Sequence, residues 1–204
     1  LPECRRPPPG IPFLGGWEKQ HLPGRLSGCG LGHWTGLEVW FGPGYTPRSA
    51  SVIVRRAEAM ANALLVVDML VGFLEPGHNL YCGDDARKII PNVRRLIERE
   101  RAAGSKVFFI CDNHDPDDLE FQMFPVHCVR GTDEANIIPE LSSYQGEVIS
   151  KQRYSGFFGT DLEQRLAELD PDKVIICGVC TDICVMHTAA DARNRDYKVE
   201  VPVD

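Results

Sequence analysis

The sequence predicts an α/β fold built on a mainly parallel sheet, and three observations carry that prediction. The strand-like segments are short and continuously apolar rather than alternating, as strands covered on both faces are. Segments with helical spacing separate them, which is the order of β-α-β units. The apolar runs also end on polar residues, Asp68, Asp112 and Lys151, at the strand ends where such sheets bind ligands.

Residues 1–59 read differently from the remainder. They hold 10 Gly and 8 Pro and no lasting apolar periodicity, so they are expected to be an irregular extension outside the core. The Gly28, Gly30, Gly32 run lacks the strand before it and the helix after it that a phosphate loop needs. The folded domain is expected to start near Met60 and to run over 60–204.

Ala63 to Val67 is a buried strand that ends at Asp68. A loop with Gly72, Pro76 and Gly77 follows. Ile89, Ile90, Val93, Leu96 and Ile97 then recur at helical spacing, with Pro91 tolerated only in the first turn and Gly104 closing the helix. Lys106 to Cys111 is the second strand, ending at Asp112. The stretch from Asn113 to Tyr144 is irregular and too long for a simple connector, which favours a functional loop. Glu147 to Ser150 is a third strand, Asp161 to Leu169 a helix capped by Asp161 or Thr160, Val174 to Cys177 a fourth strand and Tyr197 to Val201 a fifth.

Composition narrows the function. A net charge of −7 without a basic stripe argues against nucleic acid, and no apolar run is long enough to span a membrane, so a small molecule is the expected partner. A homo-oligomer stays open. The first residues lack the apolar core of a signal peptide, and the 8 cysteines are irregularly spaced and partly within strands. They read as reduced thiols of a cytoplasmic protein.

The stretch Lys173 to Ala190 carries the chemistry. A strand breaks at a Gly-Val-Cys turn and enters a helix with Thr181 as the expected N-cap, putting Cys184 in its first turn. There the unpaired N–H groups and the helix dipole favour an anion, which lowers a thiol pKa and offers donors to an oxyanion. Asp68, Lys151 and Cys184 make a coherent nucleophilic set: a carboxylate to carry the thiol proton and an ammonium to steady the charges. Asp112, His114 and His127 offer one oxygen and two imidazole nitrogens, a set that suits Zn²⁺, Fe²⁺ or Mn²⁺. His187 is read as packing or surface, and Cys177, Cys180 and Cys184 lack the fourth ligand of a structural zinc site. Cys128 reads as a packing residue.

VVDML at 66–70, the lysine of SKQRYSGFFGT at 150–160 and GVCTDICV at 178–185 resemble the isochorismatase-like cysteine hydrolases, within which nicotinamidases belong. The resemblance runs from about Leu64 to the C-terminus. It implies a three-layer α/β/α, Rossmann-like domain with Asp68, Lys151 and Cys184 as a triad. It further implies a cis peptide at Val179–Cys180 that turns the N–H groups of Cys180 and Cys184 toward an oxyanion. DNHD followed by FPVHCVRGT resembles the metal site of nicotinamidases, which implies a divalent ion, Zn²⁺ first, on Asp112, His114 and His127, with Glu120 near a metal-bound water. Phe73, Phe124 and Phe158 match positions of a nicotinamidase pocket wall. Asp133 and Glu134 depart from the small residues many nicotinamidases carry there, and family members continue with a further helix and strand, so the domain is expected to be truncated. The resulting expectation is a cysteine amidohydrolase of nicotinamide. Alternatives are a hydrolase of another small amide, such as a ureido or carbamoyl acid, and a catalytically silent interaction domain.

Overall fold

The computed structural model describes residues 61–203. The extension expected at 1–59, with its Gly28, Gly30, Gly32 run, lies outside the described residues.

In chain order the elements are β1 (Ala63–Val67), α1 (Val71–Leu74), α2 (Asp84–Arg87), α3 (Ile90–Ala102), β2 (Lys106–Asp112), β3 (Glu147–Lys151), α4 (Leu162–Leu169), β4 (Val174–Gly178), α5 (Met186–Asn194) and β5 (Val199–Glu200). The strands form one sheet in the order β3-β2-β1-β4-β5, and every pair is parallel. The chain therefore builds outward from β1 through β2 to β3, then returns to the other side of β1 with β4. That reversal opens a crevice beyond the C-terminal ends of β1 and β4, the position where open α/β sheets bind ligands.

The continuous apolar runs are explained by two cores. Leu64 and Val66 of β1, with Val107 and Phe109 of β2, face α3 through Val93, Leu96 and Ile97. Ala63, Leu65 and Val67 face the other way with Phe108 and Ile110, against Leu162 and Leu166 of α4 and Ala192 of α5. Every residue of β1 is buried. Successive side chains point to opposite faces, so both sets must be apolar, and burying each costs the chain its usual strand alternation.

Local signals account for most boundaries. Pro91 lies in the first turn of α3, where its missing N–H costs nothing, and Gly104 leaves that helix at φ +86°. Asp161 holds the N-cap position of α4 without a side-chain bond, and Thr160 Oγ1, one residue earlier, accepts from the Leu162 amide at 3.2 Å. β5 is shorter than the run Tyr197 to Val201, because the Tyr197 amide turns back to the Ala192 carbonyl at 3.2 Å and closes α5 instead of entering the sheet. Among the described residues no helix is long and apolar enough to cross a membrane.

Candidate active site

The site is assembled from strand ends. Asp68 follows β1, Asp112 ends β2, Lys151 ends β3, and the turn after β4 delivers Cys180 and Cys184. The register puts Asp112 beside Lys151 across β2 and β3. Gly178 makes the turn possible. It sits at φ +119°, and a Cβ there would lie 1.9 Å from the Val67 carbonyl oxygen, so the backbone of β4 reaches β1 only where no side chain intervenes. The next residue, Val179, returns to the sheet by donating its amide to Val67 O at 3.0 Å. The Val179–Cys180 peptide is cis.

The helix that follows does not begin as the sequence reading has it. Thr181 is exposed and caps nothing: the N-cap position is Cys180, without a side-chain cap, and Thr181–Val185 winds as a wide π turn before α5. The carbonyl of Cys180 accepts from both Ile183 and Val185 at 3.2 Å, which widens the turn and leaves Thr181 outside it.

Lys151 is the hub. Its ammonium is 2.5 Å from Asp112 Oδ1, 2.8 Å from Asp68 Oδ2 and 3.6 Å from Cys184 Sγ. Asp68 Oδ1 accepts from the Asp112 amide at 2.9 Å, while Oδ2 faces Lys151 as an ion pair without an aligned hydrogen bond. Ligand atoms of Asp68, Asp112 and Cys184 lie within 4.8 Å of one another. All four side chains are buried.

Charge follows from that burial. Desolvation pushes the Asp68 carboxyl up from 3.8 to about 6, helped by the Asp112 charge and opposed by Lys151. Burial acts against the charge on Lys151, but Asp68 and Asp112 outweigh it and keep the ammonium well above its ordinary range. Burial also opposes ionisation of Asp112, and Lys151 prevails, holding it down. Cys184 departs from expectation. Burial first, then the Asp68 charge, pushes its thiol up against the pull of Lys151, so the resting sulfur carries its proton.

Beside this cluster, Asp112, His114 and His127 bring one ligand atom each within 4.8 Å of one another, and all three are buried. Asp112 Oδ2 is 3.7 Å from His114 Nε2 and 3.9 Å from His127 Nε2. The long loop closes on itself to do this: the His114 amide donates to Cys128 O at 3.0 Å, and Arg130 donates back to His114 O at 2.8 Å. His127 Nδ1 faces the Pro125 carbonyl at 2.8 Å, an acceptor only, so Nδ1 carries the hydrogen and Nε2 presents a lone pair. His114 Nδ1 is held by Asp118 Oδ2 at 3.0 Å, which turns Nε2 inward toward Asp112, where it is buried and makes no hydrogen bond. An oxygen and two imidazole lone pairs converging on one point fit a divalent cation. Glu120 is buried on the same wall, its Oε2 without a hydrogen bond and 3.8 Å from Arg153 Nη1, and burial pushes its carboxyl up.

A cavity of about 160 Å³ opens over these groups, walled by Phe73, Leu80, Phe124, Tyr154, Val179 and Ile183, with Cys82 and Cys180 at its side. Phe73 and Phe124 lie against His127, with ring centroids 5.7 and 6.5 Å away, and Phe124 meets Tyr154 edge-on. Phe158 is not in this wall. It is 65% exposed and lines a separate depression with Asn113 and Arg130, while its neighbour Phe157 is the buried one. The turn is set by Thr188, whose hydroxyl takes the Gly156 amide at 3.0 Å, and by Arg195, stacked 4.6 Å from the Phe157 ring. His187 is exposed beside Tyr154, and Cys128 is fully buried.

Sequence reasoning missed Tyr154, Cys82 and Asp118. Tyr154 lies in the quoted SKQRYSGFFGT stretch, three residues after Lys151, and its aromatic ring was the available signal. Asp118 stands four residues after His114, but Asp115 and Asp117 offer the same chemistry at nearby spacings. Glu134 has a part that its departure from the pattern did not indicate: Oε2 accepts from the Cys128 amide at 3.0 Å, and Oε1 meets His78 Nδ1 at 2.8 Å.

Comparison with known proteins shows the family. The model of the isochorismatase domain matches residues 62–204. Among solved structures, the chain is similar to N-carbamoylsarcosine amidase from Thermoplasma acidophilum (38% identity, TM-score 0.65, covering 70% of this chain and 81% of that one). It is similar also to a pyrazinamidase/nicotinamidase from Streptococcus mutans (34%, TM-score 0.66, 69% and 84%). A third is the pyrazinamidase of Pyrococcus horikoshii in complex with zinc (35%, TM-score 0.63, 69% and 82%).

Proposed function

The chain belongs to the isochorismatase family of hydrolases acting on amide C–N bonds, and we propose that it hydrolyses a small neutral aromatic carboxamide, nicotinamide first, through a Cys184 thioester. The observation that carries the choice of substrate is the lining of the cavity. It presents Phe73, Phe124 and Tyr154 to a flat ring, together with the carboxylates of Asp68, Asp112 and Glu120, and no arginine or lysine. A carbamoyl or ureido acid would bring a carboxylate toward those acids, where the nearest cations, Lys151 and Arg153, are already engaged by Asp68 and Asp112 and by Asp118 and Glu120.

In the proposed reaction Asp68 takes the Cys184 proton as the sulfur attacks the amide carbon. A thiol that is neutral at rest makes this transfer concerted with attack rather than prior to it. The amides of Cys180 and Cys184 receive the developing oxyanion. As the tetrahedral centre collapses, the C–N bond breaks and Asp68 returns the proton to nitrogen, releasing ammonia. Water then attacks the thioester, Asp68 takes its proton, and the acid leaves as the Cys184 thiol re-forms. A carboxyl at about 6 suits both directions of transfer near neutral pH. Lys151 keeps its charge throughout and holds Asp68 against Asp112.

Asp112, His114 and His127 would hold a divalent metal, Zn²⁺ first and Fe²⁺ or Mn²⁺ as alternatives, and Glu120 faces the same space. When bound, the ion supplies a Lewis-acid centre that can fix the ring nitrogen of the substrate. The zinc in the related pyrazinamidase supports that reading. The irregular spacing of the cysteines and their place within strands support a reducing, cytoplasmic setting.

The test is ammonia release from nicotinamide, an N-carbamoyl acid and a ureido acid, with metal content measured on the same preparation. We expect turnover of nicotinamide and its abolition in Cys184→Ala. Undiminished turnover in that variant, or preference for an anionic substrate, refutes the proposal.

A further inference from the structure

The thiols of Cys82 and Cys180 have no part in the reaction above, yet they occupy the wall of the reaction cavity and touch each other. Cys82 lies in the loop between α1 and α2, Cys180 in the turn after β4, 98 residues apart in sequence, and their sulfurs are 3.5 Å apart. Both are half-buried and line the cavity, so a small molecule that enters it meets them. Cys111 and Cys128, by contrast, are at most 4% exposed, and burial pushes their thiols up, which makes them inert. Each partner of the pair is anchored from behind. The Cys82 amide donates to Phe73 O at 2.8 Å, and the residue before Cys180 is tied to Val67. The contact is therefore a fixed feature of two packed loops.

We infer that Cys82 and Cys180 form an oxidisable pair that a small-molecule disulfide converts to a protein disulfide, reversibly disabling the cavity. The sulfur–sulfur contact, in which either atom can be the donor, holds Cys82 below the usual cysteine range and pushes Cys180 up, which makes Cys82 the attacking sulfur. Its thiolate attacks the small disulfide, forming a mixed disulfide and expelling one thiolate. Cys180 gives its proton to that thiolate, attacks the sulfur of Cys82 and expels the second, which takes up a proton from water. Two protein thiols are oxidised, one small disulfide is reduced to two thiols, and atoms and electrons balance.

The consequence for catalysis rests on the amidase reading; the disulfide itself does not. An S–S bond is about 2.05 Å long, so the sulfurs must close by roughly 1.5 Å from their 3.5 Å contact. Cys180 supplies one proposed oxyanion N–H and is four residues from Cys184. Closing the sulfurs strains the turn that carries this N–H, and a misplacement of about 1 Å at a reacting centre lowers turnover about 10- to 100-fold.

The full-length Cys184→Ala protein is incubated with glutathione disulfide and digested without reduction. We expect a peptide linking Cys82 to Cys180 and lighter by two hydrogens, absent when Cys82→Ser is added. In the wild-type background the activity of the oxidised protein, relative to its own reduced activity, should fall 10- to 100-fold and return with dithiothreitol, while Cys82→Ser retains most of its own. Absence of the linked peptide overturns the inference. So does equal inactivation of Cys82→Ser with glutathione found on Cys184. A linked peptide in a protein without any amidase activity upholds the pair and counts against the amidase reading alone.

Discussion

Replacing Asp68 by Asn should abolish turnover and, in metal-free protein, raise stability at neutral pH. Lys151 faces two buried carboxylates, so the cluster holds one cation and two anions in a largely desolvated region. The excess anion is expressed on Asp68, whose carboxyl is pushed from 3.8 to about 6. A folded-state value above the unfolded one means that the native protein binds this proton more tightly. Below about pH 4 both states are protonated and the group costs nothing. Between about pH 4 and 6 the unfolded chain ionises first, so native stability falls as pH rises, and above about pH 6 the full penalty stands. At roughly 1.4 kcal/mol for each tenfold change in proton affinity, that penalty is about 3 kcal/mol. Asn keeps the oxygen that accepts from the Asp112 amide and removes the charge, leaving Lys151 and Asp112 as a neutral pair. Urea unfolding of both proteins after chelation, at pH 4 and at pH 7.5, measures the difference. Asp68→Asn should match wild type within about 1 kcal/mol at pH 4 and exceed it by about 3 kcal/mol at pH 7.5. A variant less stable than wild type at pH 7.5 would refute the reasoning, since Asp68 would then be a net stabilising partner of Lys151.

Three further substitutions test separate parts of the site. Gly178→Ala places a Cβ 1.9 Å from Val67 O at a positive φ, so it should destabilise by more than about 3 kcal/mol in urea unfolding. Asp118→Asn removes the carboxylate that orients His114, and Zn²⁺ affinity in a competition titration should drop about 10- to 100-fold while the circular dichroism spectrum is unchanged. Phe124→Ala opens the cavity wall and should raise KM for nicotinamide about tenfold with little change in kcat. Phe158→Ala should leave KM as it was, because that ring is 65% exposed.

The sheet was legible because a strand buried on both faces has no freedom in composition. β1 must be apolar at every position to fill both cores, and the residue that ends such a run at a ligand-facing rim stands out when it is charged, as Asp68, Asp112 and Lys151 do. Spacing alone marks the metal-ligand set weakly, and it is the resemblance of DNHD and FPVHCVRGT that groups Asp112, His114 and His127; in the fold the pairing of His114 with Cys128 and Arg130 brings residue 127 back to residue 112. Loop side chains were another matter. Which of Phe157 and Phe158 points inward depends on Thr188 and Arg195, more than 30 residues along the chain, so local pattern holds no information about it. The π turn at Thr181–Val185 was hidden for a similar reason: its width comes from two amides converging on the Cys180 carbonyl, not from the helix propensity of its residues.

The state of Cys184 shows most clearly where local reasoning ends. Placed at the start of a helix beside a lysine, a thiol should ionise readily, and by that argument Lys151 would make Cys184 a resting thiolate. The same lysine, however, is already engaged at 2.5 and 2.8 Å by two carboxylates, and the sulfur is farther away, at 3.6 Å. In the metal-free cluster one buried cation faces two carboxylates and the sulfur, and the sulfur, the most distant and the least acidic of the three, keeps its proton. A carboxylate poised near 6 next to a protonated thiol is nevertheless a working arrangement. The proton needs to move only from sulfur to Asp68 as the C–S bond forms, and the negative charge passes to the substrate oxygen rather than accumulating in the cluster. On this account Lys151 activates the pair chiefly by keeping Asp68 ionised, and its contribution to catalysis operates through the base rather than through the nucleophile.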